Sequence, residues 1–369
     1  MKNIVKLSGI AALTAVILFS LTAAACGNRS NSSSEVSRAI DNIAGEDGSS
    51  LYSIISDSSF IESGNLYSGN ADYSDNYWIS ITENPIRGSV SGIVWGGGKF
   101  VAVGEHISYS TDGINWTVAQ ENIFSDTGIN CVTWGNNRFI ATGDYGKMAY
   151  SADGINWTAV SPNPFEYAVH YDYDIKSITW GNNLFVAAGY KIGQDCKIAY
   201  SSDGINWTAA ADTTFSQRIY SVTWGSNKFV AVGDYRRMAY SPDGINWTRV
   251  TDSSLDELKD EYGMIASFTN VTWCNNKFFA FNDKLMAYSS DGVNWTGVNF
   301  IFSIDSIAWG NGMYAAVGYG GKIAYSADGI NWTAEERSPF QFWEHNFRIA
   351  YGGNKFVVRG SDRMAYLQP

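Results

Sequence analysis

The pattern Ser-x-Asp-Gly-x-Asn-Trp recurs six times between residues 110 and 332, and such a strict internal repeat leaves few architectures open. The first copy is Ser110-Thr111-Asp112-Gly113-Ile114-Asn115-Trp116, and the later ones carry Asp153, Asp203, Asp243, Asp291 and Asp328. A Tyr precedes the Ser in every copy, from Tyr109 to Tyr325. A second element lies upstream in each unit: a β-branched residue, a Thr, Val or Ala, a Trp, a small polar turn and an apolar run, as in Val132-Thr133-Trp134-Gly135-Asn136-Asn137-Arg138-Phe139-Ile140-Ala141. Its anchors are Trp95, Trp134, Trp180, Trp224, Trp273 and Trp309, with Tyr351 in the seventh place, spaced 39, 46, 44, 49, 36 and 42 residues apart.

Units of this length made of short β-rich runs suit an all-β chain, a β-propeller of four-stranded antiparallel blades. Strand a ends at the anchor, and Asn and Gly in the following turn accept the positive φ of a tight hairpin. Strand b is the Phe-Val-Ala-Val-like run, apolar on both faces as a sheet between two sheets must be. Strand c is the Met-Ala-Tyr-Ser-like run, and strand d begins after Asn-Trp. The seventh unit stops at Met364-Ala365-Tyr366-Leu367 without a strand d, whereas Tyr73-Ser74-Asp75-Asn76-Tyr77-Trp78-Ile79-Ser80 is a shortened copy of the turn and strand d lying ahead of the first unit. The sequence thus predicts seven blades, with Trp78 to Ile81 completing the last and removing the open sheet edges; the alternative is an open array or a six-blade ring with a spare unit.

The Ser-x-Asp-Gly-x-x-Trp motif resembles the Asp-box, or BNR repeat, of sialidases and many exported propellers, over residues 73–369. In such a turn the Asp is expected to accept backbone N–H bonds, which makes Asp112, Asp153, Asp203, Asp243, Asp291 and Asp328 structural staples rather than metal ligands. The catalytic signature of sialidases does not come with the repeat: Arg348-Ile349 runs into Ala350 where Arg-Ile-Pro is required, and Glu166, Asp172, Asp174 and Glu336 offer no spacing that selects a glycosidase pair. No catalytic residue, metal site or cofactor is assigned.

The N-terminus reads as an export signal. Lys2 and Lys6 precede an uncharged stretch from Leu7 to Ala25, and Ala23-Ala24-Ala25 leads into Cys26. This resembles a bacterial lipobox, with Ala23 where Leu is usual, and implies a lipidated Cys26. Residues 1–25 are then a signal peptide, 26–72 the lipidated Cys, a flexible tether and an extension, and 73–369 the propeller. Localisation follows as a lipid anchor in the cell envelope, outer membrane or cell surface. The alternative is an uncleaved membrane anchor.

In a propeller, chain direction sorts the loops. The a–b and c–d turns share one rim and are uniform here, whereas the d–a loops on the other rim vary, and variable loops on a rigid scaffold are where binding resides. Three stand out: Ser161 to Asp174, Thr251 to Thr269, and Glu335 to Asn346. The first brings Phe165, Tyr167, His170, Tyr171 and Tyr173, the last Phe340, Phe342, Trp343 and His345, all outside the repeat pattern. Tyr167, His170, Tyr171, Phe342, Trp343, His345 and Arg237 are the candidate ligand-binding residues. One basic or potentially basic group precedes strand c in each unit (His106, Lys147, Lys197, Arg237, Lys284, Lys322, Arg363), either lining the channel to attract an anion or pairing with loop acids such as Asp144 and Asp234. Cys131 and Cys196 lie near this rim on adjacent blades, where a disulfide is open, and Cys274 replaces an anchor Gly.

The net charge of -11 argues against nucleic acid as a partner. Fifteen percent aromatic and only 17% charged residues exclude a disordered chain. The reading that follows is a monomeric, membrane-tethered binding propeller for a glycan or an envelope protein. Its alternatives are a sialidase-like glycoside hydrolase and an envelope complex assembly factor, the latter by analogy with exported propellers that help build photosynthetic complexes.

Overall fold

The computed structural model describes residues 78–81 and 88–367, apart from 120–122, 125–126, 166–172, 191–195, 212–213, 216, 253, 256–257, 259–266, 283–284 and 362. Residues 1–77, on which the expected signal peptide, lipidated Cys26, tether and shortened turn fall, lie outside the described residues, as do Glu166, Tyr167, His170, Tyr171, Asp172 and Lys284.

Among the described residues, 28 strands form seven four-stranded antiparallel sheets, the blades of a seven-bladed β-propeller. Blade one holds β2 (Val90–Gly96), β3 (Lys99–Gly104), β4 (Ile107–Ser110) and β5 (Thr117–Val118), in that order. Strands a to d repeat this order through β25 (Thr333–Ala334). The seventh blade is built from both ends of the propeller. β26 (Arg348–Gly352), β27 (Lys355–Arg359) and β28 (Met364–Leu367) supply strands a to c, and β1 (Trp78–Ile81) pairs antiparallel with β28, from Trp78 opposite Leu367 to Ile81 opposite Met364. The Trp78 indole Nε1 donates to the Tyr325 hydroxyl of blade six at 2.5 Å.

Strand b sits in the middle of each blade and is buried on both faces; Phe100, Val101, Ala102 and Val103 are all fully covered. The two Trp series pack on either side of it. Each strand-a Trp meets an aromatic of strand b in its own hairpin, a Phe in five blades and Tyr314 against Trp309 in the sixth, with Trp134 and Phe139 rings 4.4 Å apart. It also lies over the Gly that ends strand a of the preceding blade. A Cβ on Gly96 would run into Trp134, on Gly225 into Trp273, and on Gly352 into Trp95, so the last contact joins blade seven to blade one. The Gly is needed for its missing side chain, because an indole occupies the space. Cys274 holds this place in blade five and packs as a half-buried thiol beside Trp309; burial pushes it up to about 12.

The Ser-x-Asp-Gly turn is self-contained. In the first copy Asp112 Oδ1 accepts the Ile114 and Asn115 N–H groups (2.8 and 2.7 Å) and the Ser110 hydroxyl (2.8 Å), while Oδ2 accepts the Asn115 amide (2.7 Å). Gly113 donates to Ser110 Oγ at 2.8 Å. Its φ of 74° and the approach of Val357 from the neighbouring blade leave no room for a side chain. Strand b of one blade then caps the turn of the next: Lys99 Nζ donates to Asp153 O (2.6 Å), Lys228 to Asp291 O (2.7 Å) and Lys355 to Asp112 O (2.8 Å). These bonds place the a–b turns and the Ser-x-Asp-Gly turns on one rim.

Candidate binding rim and central channel

The other rim is built where b–c turns meet d–a loops. Gly146 N donates to Tyr173 O (2.5 Å), Tyr235 N to Ser267 Oγ (3.0 Å) and Gly320 N to Glu344 O (3.1 Å), each joining a b–c turn to the following d–a loop. Tyr145, Tyr235 and Tyr319 on these turns are exposed.

The d–a loops hold a repeat element that the sequence reading missed. Phe124, Phe165, Phe215, Leu255 and Phe340 each stand eight residues after a strand-d Trp and are buried. Phe165 and Phe340, expected to lie outside the repeat, are therefore plugs that seal the blades beneath the loops. Phe340 packs edge-to-face on Phe347 with centroids 4.8 Å apart. The spacing is visible once aligned on the Trp, but Leu255 changes the residue type and the shortened loop after Trp295 drops it.

With Phe340 inside, the chain turns sharply and throws the next two aromatics outward. Glu344, fully buried, accepts the Gln341 N–H at 3.0 Å and faces Arg363 Nε at 3.6 Å; Glu344 N donates to Gln341 O at 3.0 Å. Ser338 Oγ donates to Gly321 O, fixing the base of the loop to the b–c turn of blade six. At the apex Phe342 is 77% and Trp343 55% exposed, their rings 4.9 Å apart and nearly perpendicular. His345 is exposed beside them, Nδ1 3.4 Å from Trp343 O. Of the described candidate residues, the structure thus brings Phe342, Trp343 and His345 together; Arg237 is half-buried behind the b–c turn of blade four.

The basic series preceding strand c splits: two lysines bond loop carbonyls, while Arg363 pairs with a loop acid, as one of the two expectations had it. Lys147 donates to Phe124 O (2.6 Å) and Lys197 to Pro164 O (2.7 Å), each holding the d–a loop of the preceding junction; Arg363 meets Glu344, and His106 and Lys322 are exposed. Long side chains at strand ends reach the unsatisfied carbonyls of the loop first. The loop acids are engaged elsewhere. Asp144 accepts from Asn130 (2.9 Å) and pairs with Lys176 (3.3 Å), and Asp234 accepts the Tyr220 hydroxyl (2.8 Å). Cys131 is a free thiol facing Ile178 O at 4.0 Å across the blade boundary, so it is not bridged to Cys196.

The channel itself carries a different group. Gly92, Cys131, Ser177, Ser221, Asn270 and Ser306 occupy one register of strand a, each opposite the fifth residue of its strand b, and Arg348 fills that register in blade seven. Several tie neighbouring blades: Ser177 donates to Val222 O (3.3 Å) and Ser221 to Val271 O (3.3 Å). Arg348 does the same on a larger scale, with Nε donating to Ser91 O of blade one (2.7 Å) and Nη1 to Phe347 O (2.9 Å). These residues line a cavity of about 180 Å³, with Asn130, Lys176 and Tyr220 nearer the variable rim. Burial pulls the Arg348 guanidinium below its ordinary value, and the charge of Asp305 opposes this.

No family model matches the chain, and no curated protein does. Solved structures do. A structure of YCF48 bound to D1 peptide is 16% identical with a TM-score of 0.60, covering 80% of this chain and 97% of that one. YCF48 from Cyanidioschyzon merolae is 17% identical with a TM-score of 0.58, covering 79% and 99%. A virginiamycin B lyase from Staphylococcus aureus is 13% identical with a TM-score of 0.62, covering 80% and 99%. At these identities the similarity establishes the fold.

Proposed function

We propose that the chain is an exported, lipid-anchored binding propeller that recognises a protein or a glycan through its variable-loop rim. The observation that carries this reading is the Phe342–Trp343 pair, two large aromatics held out to solvent by a loop whose base is tied down by a buried carboxylate. Exposed large aromatics on a rigid mount are the typical anchors of a recognition surface, because they lose little conformational freedom on binding. A protein partner finds support in one neighbour of this shape being YCF48 bound to D1 peptide. The envelope assembly reading is a special case of the same surface. The sialidase-like alternative calls for acids converging with arginine in a central pocket; the residues lining the cavity include Arg348 and Lys176 but no Asp or Glu.

A binding screen against glycans and envelope proteins, run with the wild type and with Phe342→Ala/Trp343→Ala, tests the proposal. Loss of binding in a variant of unchanged melting temperature supports the site, and undiminished binding removes it. Anchoring is tested separately: labelled palmitate is expected to enter the wild type and not Cys26→Ala.

A further inference from the structure

Six of the seven channel positions at one register are small or neutral, and the seventh is Arg348. A lone guanidinium in that ring is more than a seam between blades. Its Nε and Nη1 are fixed on the carbonyls of Ser91 and Phe347, which hold the plane of the group still, while Nη2 makes no hydrogen bond to any described residue. The other cation of the cavity is already satisfied: Lys176 Nζ sits 3.3 Å from Asp144 and 3.1 Å from Asp174. Asp305, the acid whose field reaches Arg348, is turned to the Phe347 N–H at 3.0 Å and is not among the residues lining the cavity. The cavity therefore presents one oriented, unspent donor edge with a positive charge, surrounded by serine hydroxyls and the Asn270 amide.

From this geometry we propose that the central channel is a binding site for a small monocarboxylate, anchored on Arg348. Charge fixes the class. One cation without a contact acid matches a monoanion, whereas a dianion would require a second free cation that Lys176 does not supply. Size fixes the scale, because about 180 Å³ compares with the roughly 150 Å³ cavity that holds a benzene-sized molecule, or about six heavy atoms. The ring hydroxyls, which bridge blades, remain able to bond a second polar atom, so a hydroxylated acid fits as well as a plain one. The site goes beyond the rim surface and does not depend on it.

The test uses the whole chain and propanoate as the probe, titrated calorimetrically at constant ionic strength maintained with chloride. Propanoate is expected to bind saturably and propanamide, its neutral isostere, at least about tenfold more weakly, since a charge-assisted hydrogen bond contributes that much or more. Arg348→Lys keeps the charge but loses the held fork, and is expected to weaken propanoate at least about tenfold. Ser221→Val, which fills the cavity with methyls and leaves Arg348 in place, is expected to do the same and stands in should Arg348→Lys fail to fold. Trp343→Ala is expected to bind propanoate as the wild type does. Equal binding of propanoate and propanamide, unsaturable binding, or unchanged affinity in Ser221→Val would overturn the assignment.

Discussion

Gly225 and Trp273 show how much of the ring rests on single atoms. A methyl on Gly225 would enter the Trp273 indole of the next blade, which is itself packed at a tilt on Phe278 with centroids 4.4 Å apart. Gly225→Ala is therefore expected to destabilise the fold by about 1–3 kcal/mol, as overpacked cores do, measured as a lower denaturant midpoint. The turn carboxylates act through protons. Burial works against ionisation of Asp328, yet the N–H groups of Asn331 and Ile330, with the Asn331 amide and the Ser326 hydroxyl, outweigh it and bring the group down to about 2. A carboxyl depressed in the folded state stabilises above its unfolded value near 4 and ceases to do so as pH falls towards 2. Unfolding monitored from pH 5 to pH 2 is expected to show stability falling across that window, and Asp328→Asn is expected to make the decline shallower. These Asp and Gly positions were legible in the sequence because six copies repeat them. Arg348 was not: its register holds Gly, Cys, Ser and Asn in the other blades and so sets no pattern, and its partner Ser91 lies 257 positions away.

At the scale of elements, the separation of the two aromatics in one loop is a physical fact with a mutational signature. Phe165 and Phe340 are interior, Phe342 and Trp343 exterior, although all four stand in the same kind of segment. Phe165→Ala is expected to cost about 3–5 kcal/mol, the usual range for a buried Phe, whereas Trp343→Ala is expected to leave thermal unfolding within about 0.5 kcal/mol. The strands themselves were readable from the alternation of anchors, turns and apolar runs. The loops were not, because what sends Phe340 inward and Trp343 outward is the buried Glu344 carboxylate on Gln341 N, a contact with no sequence period. β1 is the other decisive element. It covers the edge of β28 along four residue pairs, and its Trp78 reaches Tyr325. Deletion of residues 78–81 is expected to expose that edge, lowering the melting temperature and producing higher-order species in light scattering.

At the scale of the molecule, the seven blades share their material unequally between two rims. One rim is devoted to holding the ring: Ser-x-Asp-Gly turns consume their own carboxylates, and lysines of adjacent blades consume the turn carbonyls. The other rim varies, presents Tyr145, Tyr235, Tyr319, Phe342 and Trp343 to solvent, and opens on the channel where Arg348 lies. Cohesion thus lies on one face, and the proposed recognition surface lies on the other. This division is tested most directly by site-specific photo-crosslinking in cells that make the protein, with a benzophenone side chain placed at position 343 on the variable rim or at position 205, an exposed apolar site on the opposite rim. A discrete adduct is expected from position 343, lost when Phe342 is also replaced by Ala, and none from position 205. Adducts from position 205 alone, or equal adducts from both rims, would contradict it.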